Sequence, residues 1–230
     1  AKDEKKKVSI VPPNDEDGAG YVTASPAGHY GQYVDINGDQ AKDNHQLIMK
    51  YRGISMHPEV DMAIEDIVNE AIVTGGLDKQ IELVLDKVQA PASIKKTMME
   101  EFDNVLNLLN FGEHGHDQFR RWYVDRRLYH HLVVNEQNPK AGIQEVRYID
   151  SIKIRKVKEV KTRRDQATGA KIVDKVDEYF IYQEKPGTQN TGVKITADSI
   201  SYVTSGILDA ARKKVISHLH KAIKPVNQLR

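Results

Sequence analysis

The chain has 230 residues, of which 39% are hydrophobic and 29% are charged, so it is long enough to bury a substantial core. Its formal net charge is +1 at pH 7, which excludes a polycation and restricts any nucleic-acid contact to local patches. The chain has no cysteine, which excludes disulfides, thiolate metal sites and thiol nucleophiles. No apolar run approaches the length of a transmembrane helix, and the lysine-rich start lacks the apolar core of a signal peptide.

Residues 1–45 are rich in Gly, Asp, Asn and Pro, which predicts an extended arm with turns rather than a packed unit. The alternative is an arm that is disordered in isolation. The apolar and aromatic side chains that would anchor the arm to another surface are Tyr21, Tyr30, Tyr33 and Ile36.

Two amphipathic helices are predicted after the arm. The first begins at Pro58, which suits the first helical position, and its apolar stripe ends before Gly75-Gly76. The second covers residues 93–110, with Ser93 as its N-cap. Between them, the apolar alternation at residues 81–85 predicts a short strand.

Residues 119–129, Phe-Arg-Arg-Trp-Tyr-Val-Asp-Arg-Arg-Leu-Tyr, are the least ordinary part of the sequence. They hold the single tryptophan between two Arg-Arg pairs, and a third helix over residues 116–124 is predicted to carry Trp122 in its apolar face. Guanidinium groups form bidentate contacts and stack on aromatic rings, so the cluster predicts a crowded polar interface or an anionic partner. The alternative is an amphipathic helix end whose arginine stems lie over apolar surface.

The second half of the chain changes to β-branched and aromatic segments separated by turns, which predicts an antiparallel sheet. The predicted strands are residues 128–134, 143–149, 152–161, 176–183, 193–196 and 199–204. The predicted turn and hairpin tips are residues 138–142, 165–169 and 185–192. Helices followed by such a sheet predict an α+β fold.

The last segment has apolar residues at alternating spacings of three and four from Leu208 to Leu229. This pattern predicts a long closing helix, kinked at Pro225. Because the stripe runs to Arg230 without a stop signal, we expect the chain to be a piece of a longer polypeptide.

His114-Gly115-His116, with the adjacent Asp117, is the strongest candidate for a metal site. A protein metal site needs three or four ligands and a supporting second shell, and no further ligand stands at a metal-motif spacing. A solvated helix start is therefore the favoured interpretation. Neither a phosphate-binding loop nor a nucleophile elbow is present, so no catalytic, cofactor-binding or metal-binding residue is predicted.

A basic run over residues 153–164 alternates with apolar residues, which predicts an amphipathic strand with one basic face. Its candidate contacts with DNA or phosphate are Lys153, Arg155, Lys158 and Arg163, because lysine and arginine release the counterions condensed on nucleic acid. The alternative is a solvated strand whose lysines prevent edge-to-edge pairing. No aromatic residue interleaves with this run, so base stacking is not predicted.

Four blocks of the sequence, in the same order, resemble the portal vertex proteins of T4-like tailed phages, including those of cyanobacteria. They are MHPEV with AIEDIVNEAIV over residues 56–73, LLNF leading into FRRWYVD over residues 108–125, YVTSGILD over residues 202–209, and LHKAIKPVNQL over residues 219–229. The resemblance covers most of the chain after about residue 45, and the four blocks together are specific to that family. The arm, at residues 30–35, is similar to family members to a lesser degree.

The resemblance implies a structural subunit of a ring, usually a dodecamer, at one vertex of the virion head, assembled in the host bacterial cell. It implies double-stranded DNA passing through the ring, and the terminase large subunit, the major capsid protein and neck proteins as partners, with no small-molecule substrate or cofactor. It divides the chain into the arm at residues 1–45, a wing-like α+β domain at residues 46–205 and the start of a stem helix at residues 206–230. The candidate subunit contacts are then Arg120, Arg121, Arg126 and Arg127.

Overall fold

The computed structural model describes residues 17, 19–24, 39–73, 80–164, 169–184, 192–210, 212 and 214–228. Apart from one short N-terminal strand and a short closing helix, the helices come first and the strands follow, so the predicted α+β class is confirmed. The strands divide between two sheets instead of forming a single one.

The helices are α1 (Asp39–Ser55), α2 (Pro58–Ala71), α3 (Ala92–Leu108), α4 (Phe111–Asp125) and α5 (Ile223–Gln228). The strands are β1 (Gly20–Ala24), β2 (Arg127–Val134), β3 (Ile143–Ile149), β4 (Ile154–Arg164), β5 (Lys171–Tyr182), β6 (Val193–Thr196) and β7 (Ile200–Thr204). Short 3₁₀ turns occupy Pro139–Ala141, Ala197–Ser199 and His218–Ala222.

Helix α1 was not predicted, and it begins inside the predicted arm. Its buried apolar residues, Ile48, Tyr51 and Ile54, form a single narrow stripe on an otherwise polar helix. Such a stripe is a weak periodic signal beside the turn-rich residues that precede it. Of the four predicted arm anchors, Tyr21 lies in β1. The other three, Tyr30, Tyr33 and Ile36, lie outside the described residues.

The helix predicted from Pro58 is confirmed, with the proline in its first turn. Helix α3 is also confirmed, but its N-cap is Pro91, so Ser93 lies in the first turn and does not cap the helix. The strand predicted at residues 81–85 is wrong: this segment is irregular. A strand requires a partner for its backbone groups, and no described strand pairs with this segment.

Helix α4 begins at Phe111, earlier than the predicted residue 116. Asn110, with φ of 44°, makes the turn between α3 and α4, a left-handed conformation that asparagine tolerates. Its side-chain amide donates a 2.6 Å hydrogen bond to Glu113 Oε2. His114, Gly115 and His116 are consequently helical residues, not a loop.

The helices enclose a first core cluster, which contains Tyr51 of α1, Ile64 and Val68 of α2, Val124 of α4 and Leu219 of the C-terminal segment. Tyr51 also hydrogen-bonds His220 Nδ1 through its hydroxyl group at 2.8 Å. The end of the chain therefore completes the helical core.

The six strands predicted in the second half of the chain are all found, with ends shifted by a few residues. In the first sheet, β2 lies between β3 and β7, all antiparallel. In the second sheet the order is β1-β4-β5-β6, with β4, β5 and β6 antiparallel and β1 parallel to β4 at the edge. The antiparallel pairing confirms the two predicted hairpins, although most residues of their tips lie outside the described ranges.

The two sheets pack on each other through a second core cluster of Tyr129, Ile154, Phe180 and Ile200. The ring of Tyr129 on β2 stands edge-on to Phe180 on β5, with ring centroids 6.1 Å apart. It also stacks on Tyr202 of β7 at 4.9 Å. Aromatic pairs of this geometry add to the free energy gained by burying their area.

The closing helix is shorter than predicted. Leu208 bridges to Val215, and the backbone N–H of Ile216 donates a 2.8 Å hydrogen bond to Ile207 O, so residues 207–208 pair with residues 215–216 as in a hairpin. Val215 is fully buried in this irregular conformation, which uses the apolar stripe without a helix. The α-helix begins only at Ile223, and Pro225 lies in its first turn instead of at a kink.

Replacing Phe180 by alanine removes the aromatic ring that joins the two sheets. We expect Phe180→Ala to lower the free energy of unfolding by about 3–5 kcal/mol, the usual cost of truncating a buried phenylalanine. Urea denaturation followed by circular dichroism measures it. Val193→Ala, at a residue 62% exposed on the neighbouring strand, is the control and should change stability by less than about 0.5 kcal/mol. Equal effects from the two variants would contradict the assignment of this core.

Candidate subunit interface and the arginine network

Helix α4 passes into strand β2 through a single residue, Arg126. Its φ of 67° is left-handed, and its backbone N–H donates a 2.9 Å hydrogen bond to Trp122 O, which closes the last helical turn. A left-handed conformation costs a non-glycine residue about 1–2 kcal/mol, so the surrounding contacts have to hold it.

The side chain of Arg126 provides such contacts. It is 1% exposed, and its guanidinium group donates hydrogen bonds to the carbonyl oxygen of Val215 and to the side-chain oxygen of Asn44. Burial lowers the pKa of Arg126 to about 10. Arg126 therefore joins the end of α4 to α1 and to the C-terminal turn.

Arg127, the next residue, is 5% exposed, and its carbonyl oxygen accepts a 2.9 Å hydrogen bond from Ser151 Oγ. The structure thus places the side chains of both Arg126 and Arg127, two of the four candidate subunit contacts, inside the chain.

Asp125, at the last position of α4, is bound by Arg52 of α1 in a bidentate ion pair. Arg52 Nε lies 2.9 Å from Asp125 Oδ1, and Arg52 Nη2 lies 2.6 Å from Oδ2. The same guanidinium group donates to Asp150, after β3, at 2.7 and 3.3 Å. Planar bidentate pairing of this kind is the strongest form of the arginine–carboxylate contact. One guanidinium group thereby ties the helices to the first sheet.

The charges of this network stabilise each other. The hydrogen bond to Asp125 raises the pKa of Arg52 above its ordinary value. Burial raises the pKa of Asp150, but the hydrogen bonds from Arg52 and from the Ile152 backbone outweigh it and leave that pKa below its usual value of 3.8.

Arg120 and Arg121 lie on α4 before the junction. Arg120 reaches α2, where it pairs with Asp61 and, at 2.6 Å, with Glu65. Arg121 is more exposed and pairs with Asp117 one turn earlier at 2.8 Å. Its guanidinium carbon also lies 4.5 Å from the centre of the Tyr148 ring on β3. Burial raises the pKa of Tyr148 to about 12. Arg121 is the most exposed of the four arginines.

Trp122, predicted as a core residue, is half-buried. Its ring lies 5.3 Å from Phe119, its predicted neighbour on the helix face, and 5.3 Å from His218. Its indole N–H donates a 3.1 Å hydrogen bond to Thr204 O at the end of β7. His218 in turn stacks on Tyr123 at 4.7 Å, and burial lowers its pKa. Trp122 and Tyr123 therefore hold the C-terminal segment against α4.

The basic strand does not present one basic face. Lys158 is fully buried, whereas Arg163 is exposed and follows a register shift after Lys161. The cations face carboxylates, with Lys153 2.7 Å from Glu184 and Arg163 4.0 Å from Asp174. Arg155, the remaining candidate, is half-buried. Cross-strand ion pairs thus replace the predicted open basic surface.

His116 lies on α4 with its Nε2 3.1 Å from Asn69 Oδ1 of α2, so it joins two helices. Across the residues that the structure describes, no group of three or more His, Cys, Asp or Glu side chains is arranged to hold a metal ion. In the same ranges, no helix combines the length and apolar character needed to cross a membrane.

Residues 44–230, which include the whole arginine network, match the family model described as Bacteriophage T4-like portal protein (Gp20). The chain belongs to this family. It is 33% identical over 197 residues to the portal protein of Vibrio phage KVP40, which covers 80% of this chain and 38% of that relative. It is 26% identical over 239 residues to the portal protein of Salmonella phage ViI, which covers 97% of this chain and 42% of that relative. The chain spans about two-fifths of the length of these curated relatives.

The sequence indicated the arginine block, residues 119–129, but not Arg52, which binds Asp125 of the block, or Asp150, which binds Arg52. Arg52 lies on a helix that was not predicted, and Asp150 follows a strand as an ordinary turn aspartate. The acidic residue inside the block, Asp125, was the one available signal, because a carboxylate at a helix end that packs on the core needs a cationic partner.

Arg52→Ala removes the partner of a buried carboxylate. We expect it to lower the free energy of unfolding at pH 7 by about 3 kcal/mol, the lower end of the range for breaking a buried pair, since Arg52 itself is 33% exposed. Chemical denaturation measures this loss. Lys96→Ala, which removes an exposed helical pair with Glu100, is the control and should cost less than about 0.5 kcal/mol.

The same variant has a pH signature. The pKa of Asp150 is lowered on folding, so its contribution is fully present above 3.8 and is lost as the pH falls through the folded-state value. Arg52→Ala should therefore destabilise the protein less at pH 3 than at pH 7. A loss of equal size at both pH values would show that the network does not stabilise through charge.

Proposed function

We propose that this chain is part of a structural subunit of a portal ring at one vertex of a phage head, with double-stranded DNA passing through the ring during packaging and ejection. The observation that carries this proposal is the match of residues 44–230 to the T4-like portal family. A dodecameric ring is the proposed assembly. The terminase large subunit, the major capsid protein and neck proteins are the proposed partners of the complete portal, and the host bacterial cell is the proposed place of assembly.

A non-enzymatic role is part of the same proposal. Asp125 and Arg126 are engaged in contacts with α1 and with the C-terminal segment, and the ion pairs of β4 neutralise its lysines. Both arrangements suit a scaffold. The division into an arm at residues 1–45, a wing-like domain at residues 46–205 and a stem start at residues 206–230 is likewise proposed from the family resemblance.

The surface of α3 and α4 is the proposed contact with the neighbouring subunit. Arg121 is exposed on α4, and α3, which packs beside it, has no buried residue. The exposed apolar side chains of α3 are Ile94, Met98, Met99 and Val105. Apolar residues and arginines are enriched in subunit interfaces, and a ring requires one such surface on each side of every subunit.

The double variant Arg120→Ala, Arg121→Ala should impair ring assembly of the complete gene product. We expect the fraction of protein in rings to fall by about tenfold, because every interface around the ring loses the same strong arginine contact. Light scattering after size exclusion, with electron microscopy, measures the rings.

The variant Arg147→Ala is the matched control, since Arg147 pairs with Glu145 on its own exposed strand. The single variant Arg121→Ala distinguishes a loss of assembly from a loss of folding, because Arg120, but not Arg121, forms ion pairs with α2. Circular dichroism checks that each subunit is folded. Normal rings from the double variant would remove this surface from the interface.

A nucleic-acid-binding module using residues 153–164 is the alternative function, and the ion pairing of β4 argues against it. Reversing the charges at Lys153 and Arg163 should leave the affinity for duplex DNA within about twofold, and the slope of its salt dependence within less than one unit. Fluorescence anisotropy across a salt series measures both. The swap Lys153→Glu with Glu184→Lys, which keeps the net charge, is the control. A slope reduced by about one for each reversed residue would restore the alternative.

A further inference from the structure

Strand β1 occupies the edge of a sheet whose other strands come from much later in the chain. It pairs in parallel with β4, from Gly20 opposite Val157 to Ala24 opposite Lys161. Within the described sheets, β4 is its single partner. The edge of β4 therefore acts as an acceptor for an extended segment, a form of recognition in which backbone hydrogen bonds supply the affinity.

Charge makes this acceptor selective. Asp17, just before β1, places its Oδ2 2.7 Å from Lys156 Nζ and 3.1 Å from Lys158 Nζ. The side chain of Lys158 is completely buried. Glu178 of β5 lies 2.8 and 3.4 Å from the same two ammonium groups. Two carboxylates thus balance two lysines, and removing Asp17 leaves a buried positive charge undercompensated.

Asp17 is fixed by its backbone as well as by its charge. The hydroxyl group of Tyr202, on β7 of the other sheet, donates a 2.6 Å hydrogen bond to Asp17 O. The N–H of Ala19 donates a 3.0 Å hydrogen bond to Asp17 Oδ1. The acceptor is therefore built for an acidic residue followed by an extended strand.

The contacts do not depend on which copy of the chain supplies the strand. They involve β4, Glu178 and Tyr202, all remote in sequence from Asp17. Residues 25–38 connect β1 to α1, and a chain of that length spans up to about 45 Å when extended. The same contacts can consequently form between two copies that stand side by side.

We propose that in the assembled ring each acceptor edge is filled by Asp17 and β1 of the neighbouring subunit, so that exchanged strands link the subunits. This inference rests on the proposed ring function. In a closed ring every copy donates one strand and receives one, so no acceptor is left empty. Neighbours held at a fixed short distance also give the donated strand a high effective concentration.

Disulfide trapping in rings of the complete gene product tests the exchange. These 230 residues contain no cysteine, so Ala24→Cys with Lys161→Cys introduces a defined pair at facing positions once any cysteine elsewhere in the gene product is replaced by serine. After oxidation and denaturation, exchanged strands give a ladder of covalent multimers on a non-reducing gel. A disulfide within single chains, or no disulfide, overturns the exchange.

Two controls define the result. Lys161→Cys with Lys175→Cys joins β4 to β5 at facing positions of one hairpin and should give monomers alone. Adding Asp17→Lys to the Ala24→Cys, Lys161→Cys pair should abolish the ladder, because it brings a third positive charge to the two lysines. A ladder that persists would overturn the role of Asp17.

Electron microscopy of the same samples separates the two proposals. Intact rings with disulfides confined to single chains contradict the exchange and leave the proposed function in place. Absence of rings from the unmodified protein contradicts the proposed function, and the exchange with it.

Discussion

The ion pair between Arg52 and Asp125 is the contact on which the rest of the fold depends. Asp125 ends α4 at the point where the chain turns into β2, and its carboxylate is almost completely buried. Without a cation it would carry the full desolvation cost of an isolated charge. Arg52 removes that cost from α1 and extends to Asp150, so one planar group sets the relative positions of a helix, a helix end and a strand end. Arg126 then fixes the C-terminal turn to the same junction.

The buried charges of the second sheet are also paired with groups of opposite charge. Lysines on β4 enter partly or fully buried positions because carboxylates from β5 and from the N-terminal segment lie beside them. Internal pairing of this kind neutralises lysines that a nucleic-acid-binding surface would present to phosphate groups. A protein whose net charge is near zero can hold many charges in this way and still present little electrostatic attraction to a passing polyanion.

The fold class and most of the strands could be predicted because alternation of β-branched and polar residues is a local signal. Helix α2 could be predicted because Pro58 and the apolar stripe agree. Helix α1 could not, since its three core contacts emerge only when α2 and α4 pack on it. The closing segment failed for the opposite reason: its apolar spacing fits a helix, but Val215 reaches the core through a turn stabilised by tertiary contacts.

The candidate site shows the same division. The sequence identified the arginine block as unusual, and residue type alone could not distinguish Arg121, which is exposed, from Arg126 and Arg127, which are buried. That distinction depends on the left-handed turn at Arg126, which no spacing rule indicates. The basic strand was likewise recognised from its alternation, but its counterions lie on β5, which approaches it only after the hairpin folds.

The direct passage from α4 to β2 also limits how this gene can vary in length. Strand side chains alternate between two faces, so one residue inserted or deleted at the corner would exchange the faces of β2. A deletion would bring His131 to the position of His130, and an insertion would bring Tyr129 there. His130 is buried and His131 is partly exposed, so the whole strand would meet the wrong neighbours. Insertions and deletions should therefore accumulate among relatives in the hairpin tips and be purged from the corner, whatever the residue types there.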